Sequence, residues 1–229
     1  KKTPLSEFKN LRKSGLIAIN LREGEELLKV KVTRGDADII IVSQEGNAIK
    51  FNEQDVRPMG RTASGVKSMK LRENDIAVCM DIAVDDEELL VISENGYGKR
   101  TPVSEYKRQN RGGIGLITYK ISEKTGKVVG AIVCKNDDEL MLINTSGIAI
   151  RINVSDISVT SRSAMGVRLM RTSEEEKVVA IAKIAKTGDE EKDEQLSLEA
   201  CADNEVVEAN KDTSLDRLVE ESQKEETEE

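Results

Sequence analysis

The hydrophobic positions of this chain form short apolar runs that return about every fifty residues. Each run is followed by a two-residue turn with glycine in its second place, and then by a second run. Glycine favours such tight turns because it tolerates positive φ. Three hairpins are therefore predicted, which pair 38–43 with 48–52 around Gly46, 88–93 with 97–101 around Gly96, and 139–144 with 148–152 around Gly147.

A second glycine series has nearly the same period and marks two more strands in each repeat. Its members are Gly15, Gly65, Gly115 and Gly166. Third strands are predicted at 65–71, 115–121 and 166–171, and fourth strands at 76–84, 128–134 and 178–184. The fourth strands are apolar without alternation, which is typical of strands buried on both faces. Repeats of this length that consist of strands predict an all-β propeller or β-solenoid.

The repeats divide the chain into a half unit, three full units and a tail. Residues 1–34 match only the second half of a unit, with 15–19 as third strand and 26–30 as fourth. Three and a half units are few for a closed ring, so we expect part of a longer array. The predicted blades are 35–84, 85–135 and 136–186, preceded by the C-terminal half of a truncated blade at 1–34 and followed by a tail at 187–229.

The net charge of −8 averages two regions of opposite sign. The tail holds 17 acidic and 4 basic side chains, whereas residues 1–186 hold 26 acidic and 31 basic ones. The tail is predicted to be disordered, because few of its residues could enter a core. We expect buried free thiols at Cys79 and Cys134 in a reducing cytoplasm. The absence of histidine and of a CxxC motif argues against zinc sites and histidine-based catalysis.

Cations recur with the same period as the turns, and they are the functional signal in this sequence. One stands four residues after each turn glycine, a second four before each of Gly65, Gly115 and Gly166, and a third five after each of these three. The half unit departs from this pattern, with Leu11 and Asn20 at the matching places. Acidic residues gather instead where one unit meets the next. The predicted DNA-binding residues are Lys50, Arg61, Lys70, Arg100, Arg111, Lys120, Arg151, Arg162 and Arg171.

Evenly spaced cations without a recognition helix suit contacts to phosphates, which carry little sequence information. The five aromatic residues argue against a platform that stacks single-stranded bases. The tyrosines Tyr97, Tyr106 and Tyr119 are expected to pack in strands and connections. Duplex DNA bound without sequence preference is thus the favoured partner. The alternative from another class is a propeller-type module that binds proteins and no DNA.

Several longer strings resemble the C-terminal domain of the bacterial DNA gyrase A subunit, which is a β-pinwheel of propeller-like blades. They include residues 56–61, 95–101 and 128–131, and the resemblance covers 1–186. That family carries a seven-residue box, Q-R-R-G-G-K-G, on its first blade. The present chain has a degenerate copy of this box at Gln109, Asn110, Arg111, Gly112, Gly113, Ile114 and Gly115. Asn110 and Ile114 replace the second R and the K, and we expect the intact box to lie upstream of residue 1.

The resemblance implies a domain that wraps double-stranded DNA for an ATP-dependent type II topoisomerase, which introduces negative supercoils. It also implies, as partners, the rest of the gyrase A subunit together with the gyrase B subunit, in an A2B2 heterotetramer in the bacterial cytoplasm with the nucleoid. Catalytic residues, ATP and Mg²⁺ would belong to other regions, so no cofactor, metal or membrane contact is expected here. The corresponding domain of the topoisomerase IV A subunit is the nearest alternative.

Overall fold

The computed structural model describes residues 1–10, 13–173 and 175–184 of the chain. Eleven strands and four short 3-10 helices account for the regular structure in this part, and it contains no α-helix. The strands are β1 Asp38–Ser43, β2 Asn47–Asn52, β3 Ala77–Ile82, β4 Glu88–Ser93, β5 Tyr97–Pro102, β6 Leu116–Ile117, β7 Val128–Cys134, β8 Glu139–Asn144, β9 Ala149–Asn153, β10 Val167–Arg168 and β11 Val178–Ile184. The 3-10 helices are Leu5–Phe8, Glu53–Asp55, Val103–Glu105 and Val154–Asp156.

The three predicted hairpins are confirmed. The strand β1 pairs antiparallel with β2, β4 with β5, and β8 with β9. In the first turn the amide of Gly46 donates to the carbonyl of Ser43 over 3.0 Å, and the φ of Gly46 is 78°. The fourth strand of each repeat then adds to the free side of the hairpin, as β3, β7 and β11. These pairings are local in sequence, which is why apolar runs and turn residues predict them well.

The outer strand of each complete sheet comes from the following repeat. The sheet orders are β3-β1-β2-β6, β10-β5-β4-β7 and β11-β8-β9. Thus β6 lies beside β2, with Ala48 opposite Leu116. The expectation that 35–84 and 85–135 each supply all four strands of one blade is wrong in this respect. Each complete sheet contains a strand from its neighbour, and this exchange links consecutive blades of the β-pinwheel. The division of the sequence into repeats stays a prediction.

The predicted third strands are shorter than expected or missing. Of 115–121 only Leu116–Ile117 is a strand, and 65–71 contains none. The predicted strands 15–19 and 26–30 also do not form. Because the outer strand of a sheet comes from the following repeat, 65–71 would have to pair with a hairpin in residues 1–34. The described part of residues 1–34 contains no hairpin. Apolar side chains of this segment accordingly stay exposed, for example Ile17 at 63% and Val30 at 70%.

The core lies between neighbouring sheets. One cluster joins the first and second sheets through residues such as Ile40 and Leu89, and another joins the second and third through Leu90 and Leu140. Adjacent residues of β4 thus pack on opposite sides, which confirms burial of apolar strands on both faces. The strand β7 contacts both β3 and β11, whereas β6 and β10 occupy the far margin of their sheets. We call that margin the rim.

The prediction of buried free thiols is confirmed, since Cys79 and Cys134 are both buried and free. Cys201 and the whole predicted tail, 187–229, lie outside the described residues. The three tyrosines pack as expected, at no more than 6% exposure each. Within the described ranges, no helix is both long enough and apolar enough to cross a membrane.

Candidate nucleic-acid interface

The first cation of each predicted trio points away from the turns, toward the acidic end of its sheet. The Nζ of Lys50 donates to Asp85 Oδ1 over 2.5 Å. The guanidinium of Arg100 donates to Glu88 Oε2 and to the carbonyl of Ile157, each over 2.7 Å. Lys50 and Arg100 are only 5% exposed. Their predicted contact with DNA is therefore withdrawn, because burial and ion pairing take up both charges.

The same position in the third sheet is occupied by Arg151 on β9. Arg151 is exposed, and its guanidinium pairs with Glu139. In contrast to β2 and β5, β9 has no further strand beside it within the described residues. The exposure of Arg151 leaves its predicted role open, although the carboxylate of Glu139 competes with phosphate for it.

The second cation of each trio links consecutive repeats along the rim. Each arginine donates from Nη1 to the carbonyl oxygen two residues past the second glycine of the preceding repeat. The three bonds are Arg61 to Ile17 (3.2 Å), Arg111 to Lys67 (3.0 Å) and Arg162 to Ile117 (3.5 Å). A guanidinium has five N–H donors. These bonds fix each arginine in position. Arg111 also donates from Nε to the carbonyl of Asp55, and the Nε of Arg162 lies 4.0 Å from Glu105 Oε2. Each guanidinium still has N–H donors for a further acceptor.

Lys120 and Arg171 of the third series follow the outer strands β6 and β10 and lie at the turn end of their sheets. This placement follows from the backbone hydrogen bonds after β6, where Thr118 and Tyr119 donate to the carbonyl of Gly46, and after β10, where Leu169 and Met170 donate to the carbonyl of Gly96. Lys70 has the corresponding place in sequence, but 65–71 contains no strand. The three cations are exposed and make no ion pair with any described residue. They are Lys70, Lys120 and Arg171.

The degenerate box is a junction between neighbouring repeats. The amide of Gly112 donates to the carbonyl of Ser68 over 2.6 Å, and the amide of Lys70 donates to Gly113 over 2.8 Å. A Cβ at Gly115 would lie 2.3 Å from the carbonyl oxygen of Ala48, so only glycine fits there. The amide of Gly112 is thus used within the protein and does not face solvent for a phosphate.

The two departures from the family box are both on the surface. Asn110 is exposed, and Ile114 is 47% exposed. Cations at these two positions, as in the family box that 109–115 resembles, would therefore face solvent and would not disturb the glycine contacts.

One buried lysine holds the loop that carries Arg162. The Nζ of Lys99 donates to the carbonyl oxygen of Ser161 over 2.6 Å and also to that of Arg162. Burial lowers the pKa of Lys99 to about 8, the Arg162 charge adds to this effect, and the Glu105 carboxylate opposes it. Lys1 holds the Arg61 carbonyl in the same way. These two lysines thus stabilise the loops that carry Arg162 and Arg61.

Three further cations near the rim and the turn end were not predicted from the sequence. Lys67 and Arg168 each lie two residues after a glycine of the second series, and Lys124 lies in the loop before β7. The position of Lys67 and Arg168 recurs with the period, but it does not always hold a cation, because Ile17 and Ile117 occupy it in the other repeats. Together with the second and third series, these cations make the turn end and the rim basic.

The hairpins, the exchanged outer strands and the basic rim define a propeller-like class of all-β domain. A family model described as the DNA gyrase C-terminal domain, beta-propeller, matches residues 1–34, 37–78, 87–135 and 138–185. This chain belongs to that family.

Relatives in sequence are similar over most of this chain. The DNA gyrase A subunit of Clostridium acetobutylicum is 69% identical over 191 residues, which are 83% of this chain and 23% of the relative. The corresponding protein of Staphylococcus aureus is 43% identical over 199 residues, or 86% of this chain and 22% of the relative. The chain thus spans less than a quarter of these two proteins.

Two solved structures are also similar. The DNA gyrase A C-terminal domain superposes with a TM-score of 0.69 at 33% identity, covering 76% of this chain and 59% of that one. The C-terminal domain of DNA topoisomerase IV gives a TM-score of 0.75 at 26% identity, covering 80% of this chain and 57% of that one. The fold alone therefore does not separate the two enzymes.

Proposed function

We propose that this chain binds duplex DNA along its rim and turn edge, and that it bends the duplex as the wrapping domain of a gyrase A subunit. In that setting the ATP-dependent type II topoisomerase uses the wrapped DNA to introduce negative supercoils. The partners would be the rest of the gyrase A subunit together with the gyrase B subunit, in an A2B2 assembly in the bacterial cytoplasm with the nucleoid. ATP and Mg²⁺ would act outside this chain.

The observation that carries the proposal is the exposed series of Lys70, Lys120 and Arg171, which recurs in three successive repeats without ion pairs to described residues. Regular positive charge along successive repeats suits a polyanion that follows the surface. Bending a duplex over 20 to 30 base pairs costs on the order of 1–6 kcal/mol, so several contacts must act together. The carbonyl-anchored arginines Arg61, Arg111 and Arg162 supply further contacts beside them.

The choice of gyrase over topoisomerase IV rests on sequence. Identity to gyrase A subunits reaches 69%, whereas the topoisomerase IV domain is 26% identical over the superposed region. The glycines of the box also persist at Gly112, Gly113 and Gly115. Both alternatives bind DNA in the proposal, so the experiment below addresses DNA binding itself.

Salt dependence of DNA affinity tests the proposal. If about six cations contact phosphates, the logarithm of the association constant should fall against the logarithm of salt concentration with a slope near −5. Replacing Lys70, Lys120 and Arg171 together by methionine should reduce that slope by about 2.7, since each phosphate contact contributes about 0.9. The matched control is Lys50→Met, which removes one buried charge and should leave the slope unchanged. A wild-type slope near zero would instead favour a protein-binding module.

A further inference from the structure

A shallow cavity of about 320 Å³ lies beside the turn between β4 and β5, and three cations line it. They are Lys124 from the loop before β7, Arg168 from β10 and Lys177 from the segment before β11. Tyr97 and Asn95 of the turn region complete the wall used in the following argument. We call these five residues the Tyr97 cluster. Two successive repeats contribute to it.

The tyrosine hydroxyl fixes the arginine of the cluster. Both Nε and Nη2 of Arg168 donate to the hydroxyl oxygen of Tyr97, over 3.2 and 2.7 Å. The guanidinium carbon is 5.2 Å from the ring centre. Because two nitrogens reach the hydroxyl, the guanidinium lies at that end of the ring and not over its face. Its Nη1 has no acceptor among the described residues, so two N–H donors stay available to a ligand.

The asparagine connects the two lysines. The Nζ of Lys177 donates to Asn95 Oδ1 over 2.5 Å. The Nδ2 of Asn95 donates to the carbonyl oxygens of Glu123 and Lys124, over 3.1 and 3.2 Å. The ammonium of Lys124 lies 5.4 Å from the ring centre of Tyr97. Side chains of the turn thus hold all three cations around one depression.

The charges of the cluster are not neutralised by ion pairs. None of Lys124, Arg168 and Lys177 has a carboxylate within 4.0 Å among the residues described in the structure. One carboxylate side chain, that of Glu123, lines the cavity, and it is exposed. Three positive charges held this close repel one another, and an anion between them would relieve the repulsion. A phosphate group has the acceptors that a guanidinium and two ammonium groups require.

The cluster is specific to the second sheet. The place of Tyr97, directly after the turn glycine, is taken by Asn47 in the first sheet and by Ile148 in the third. The place of Arg168 is taken by Ile117 one repeat earlier. General repeat architecture therefore does not account for the arrangement.

We infer that the Tyr97 cluster binds one phosphate of the duplex backbone and anchors the DNA path at the turn of the second sheet. The inference rests on the proposed function and adds one defined phosphate contact to the proposed DNA interface. Two exposed cations of the proposed interface are neighbours of the cluster in sequence, since Lys120 precedes Lys124 by four residues and Arg171 follows Arg168 by three.

Methionine variants of the cluster test this inference in a filter-binding titration with a random-sequence duplex. Lys124→Met and Arg168→Met should each weaken binding about threefold to tenfold at 0.1 M salt and reduce the salt slope by about 0.9. Lys124 is exposed, so its replacement should not disturb folding. Tyr97→Phe keeps every charge and should weaken binding less than Arg168→Met does. The charge-matched control is Lys135→Met, because Lys135 lies at the opposite end of β7 beside Glu87.

The outcomes separate the inference from the proposed function. If Lys124→Met and Arg168→Met both bind like Lys135→Met while the wild-type slope stays near −5, the cluster is not a phosphate site and DNA binding stands. Equal losses for Arg168→Met and for Lys67→Met, the corresponding cation two repeats earlier, would show that the Tyr97 cluster does not anchor the DNA more strongly than a single exposed cation does, and would overturn the inference. A wild-type slope near zero overturns both ideas. Thermal unfolding of each variant identifies any loss that comes from misfolding.

Discussion

The guanidinium of Arg111 donates from Nη1 to the carbonyl oxygen of Lys67, 3.0 Å away. Its Nε also donates to the carbonyl of Asp55 over 3.1 Å. One side chain therefore joins two segments of the preceding repeat while remaining exposed to solvent. Because the corresponding bond occurs in three successive repeats, the same contact that joins the repeats also sets the spacing of positive charge along the rim.

Two replacements of Arg111 should separate the effect of its charge on DNA binding from the effect of its hydrogen bonds on stability. Arg111→Met removes both carbonyl bonds and the charge, so we expect a loss of about 1 kcal/mol in unfolding free energy and a reduction of about 0.9 in the salt slope of DNA binding. Arg111→Lys keeps the charge but not the fork, and should lose stability while keeping most of the slope. Urea unfolding and filter binding measure the two effects. Equal slopes for wild type and Arg111→Met would exclude Arg111 from the interface.

The turn glycines offer a matched pair for testing the exchange of outer strands. A Cβ at Gly96 would lie 2.2 Å from the carbonyl oxygen of Met170 in the next repeat, whereas a Cβ at Gly147 would meet nothing within 4 Å. Both glycines have nearly the same positive φ, 76° and 77°. Gly147→Ala should therefore cost about 1 kcal/mol for backbone strain, and Gly96→Ala clearly more. Equal losses in urea unfolding would show that the outer strand can move away from the turn.

Features that depend on neighbouring residues were predictable from the sequence. Hairpins follow from adjacent apolar runs and a turn glycine, and all three were predicted. The sheet that β6 joins could not be predicted, because the segment after Gly115 could pair with its own hairpin or with the preceding one. The choice depends on contacts such as Gly115 against Ala48, which belong to different repeats.

The candidate site shows the same limit of periodic reasoning. Lys50 and Lys70 recur equally well in sequence, yet Lys50 is buried against Asp85 and Lys70 is exposed. Periodicity identifies the position of a charge in the repeat. It does not show whether the side chain at that position is buried between sheets or exposed to solvent. The Tyr97 cluster was also not predictable, because it combines residues of two repeats and has no period.

The two described thiols should be unreactive in the folded protein. Burial raises the pKa of Cys79 and of Cys134 to about 12, compared with an ordinary value of 9.0. In a Cys201→Ser variant, a thiol reagent at pH 8 should label neither residue before unfolding and both after addition of guanidinium chloride. Rapid labelling of one thiol under native conditions would show that the packing between its sheets opens locally.

The pH dependence of stability should reveal the state of Lys99. Its pKa is about 8 in the folded chain and 10.5 ordinarily, so between these values the unfolded chain binds the extra proton. Stability contributed through this group must therefore rise as pH increases from 8 toward 10.5. The Lys99→Met variant lacks the effect, and its deficit relative to wild type should grow by about 1–2 kcal/mol between pH 7 and 9.5. Urea unfolding at several pH values measures that difference.

The comparison with Lys99→Met also separates this group from others that titrate above pH 8. Buried thiols act in the opposite direction, since they ionise only after unfolding, but they are present in both proteins and cancel. A neutral amine keeps two N–H donors for the carbonyls of Ser161 and Arg162, so deprotonation removes the cost of the buried charge without releasing the loop. A deficit that stays constant with pH would mean that Lys99 remains charged. A deficit that shrinks would mean that the two carbonyls and Glu105 outweigh burial and raise its pKa.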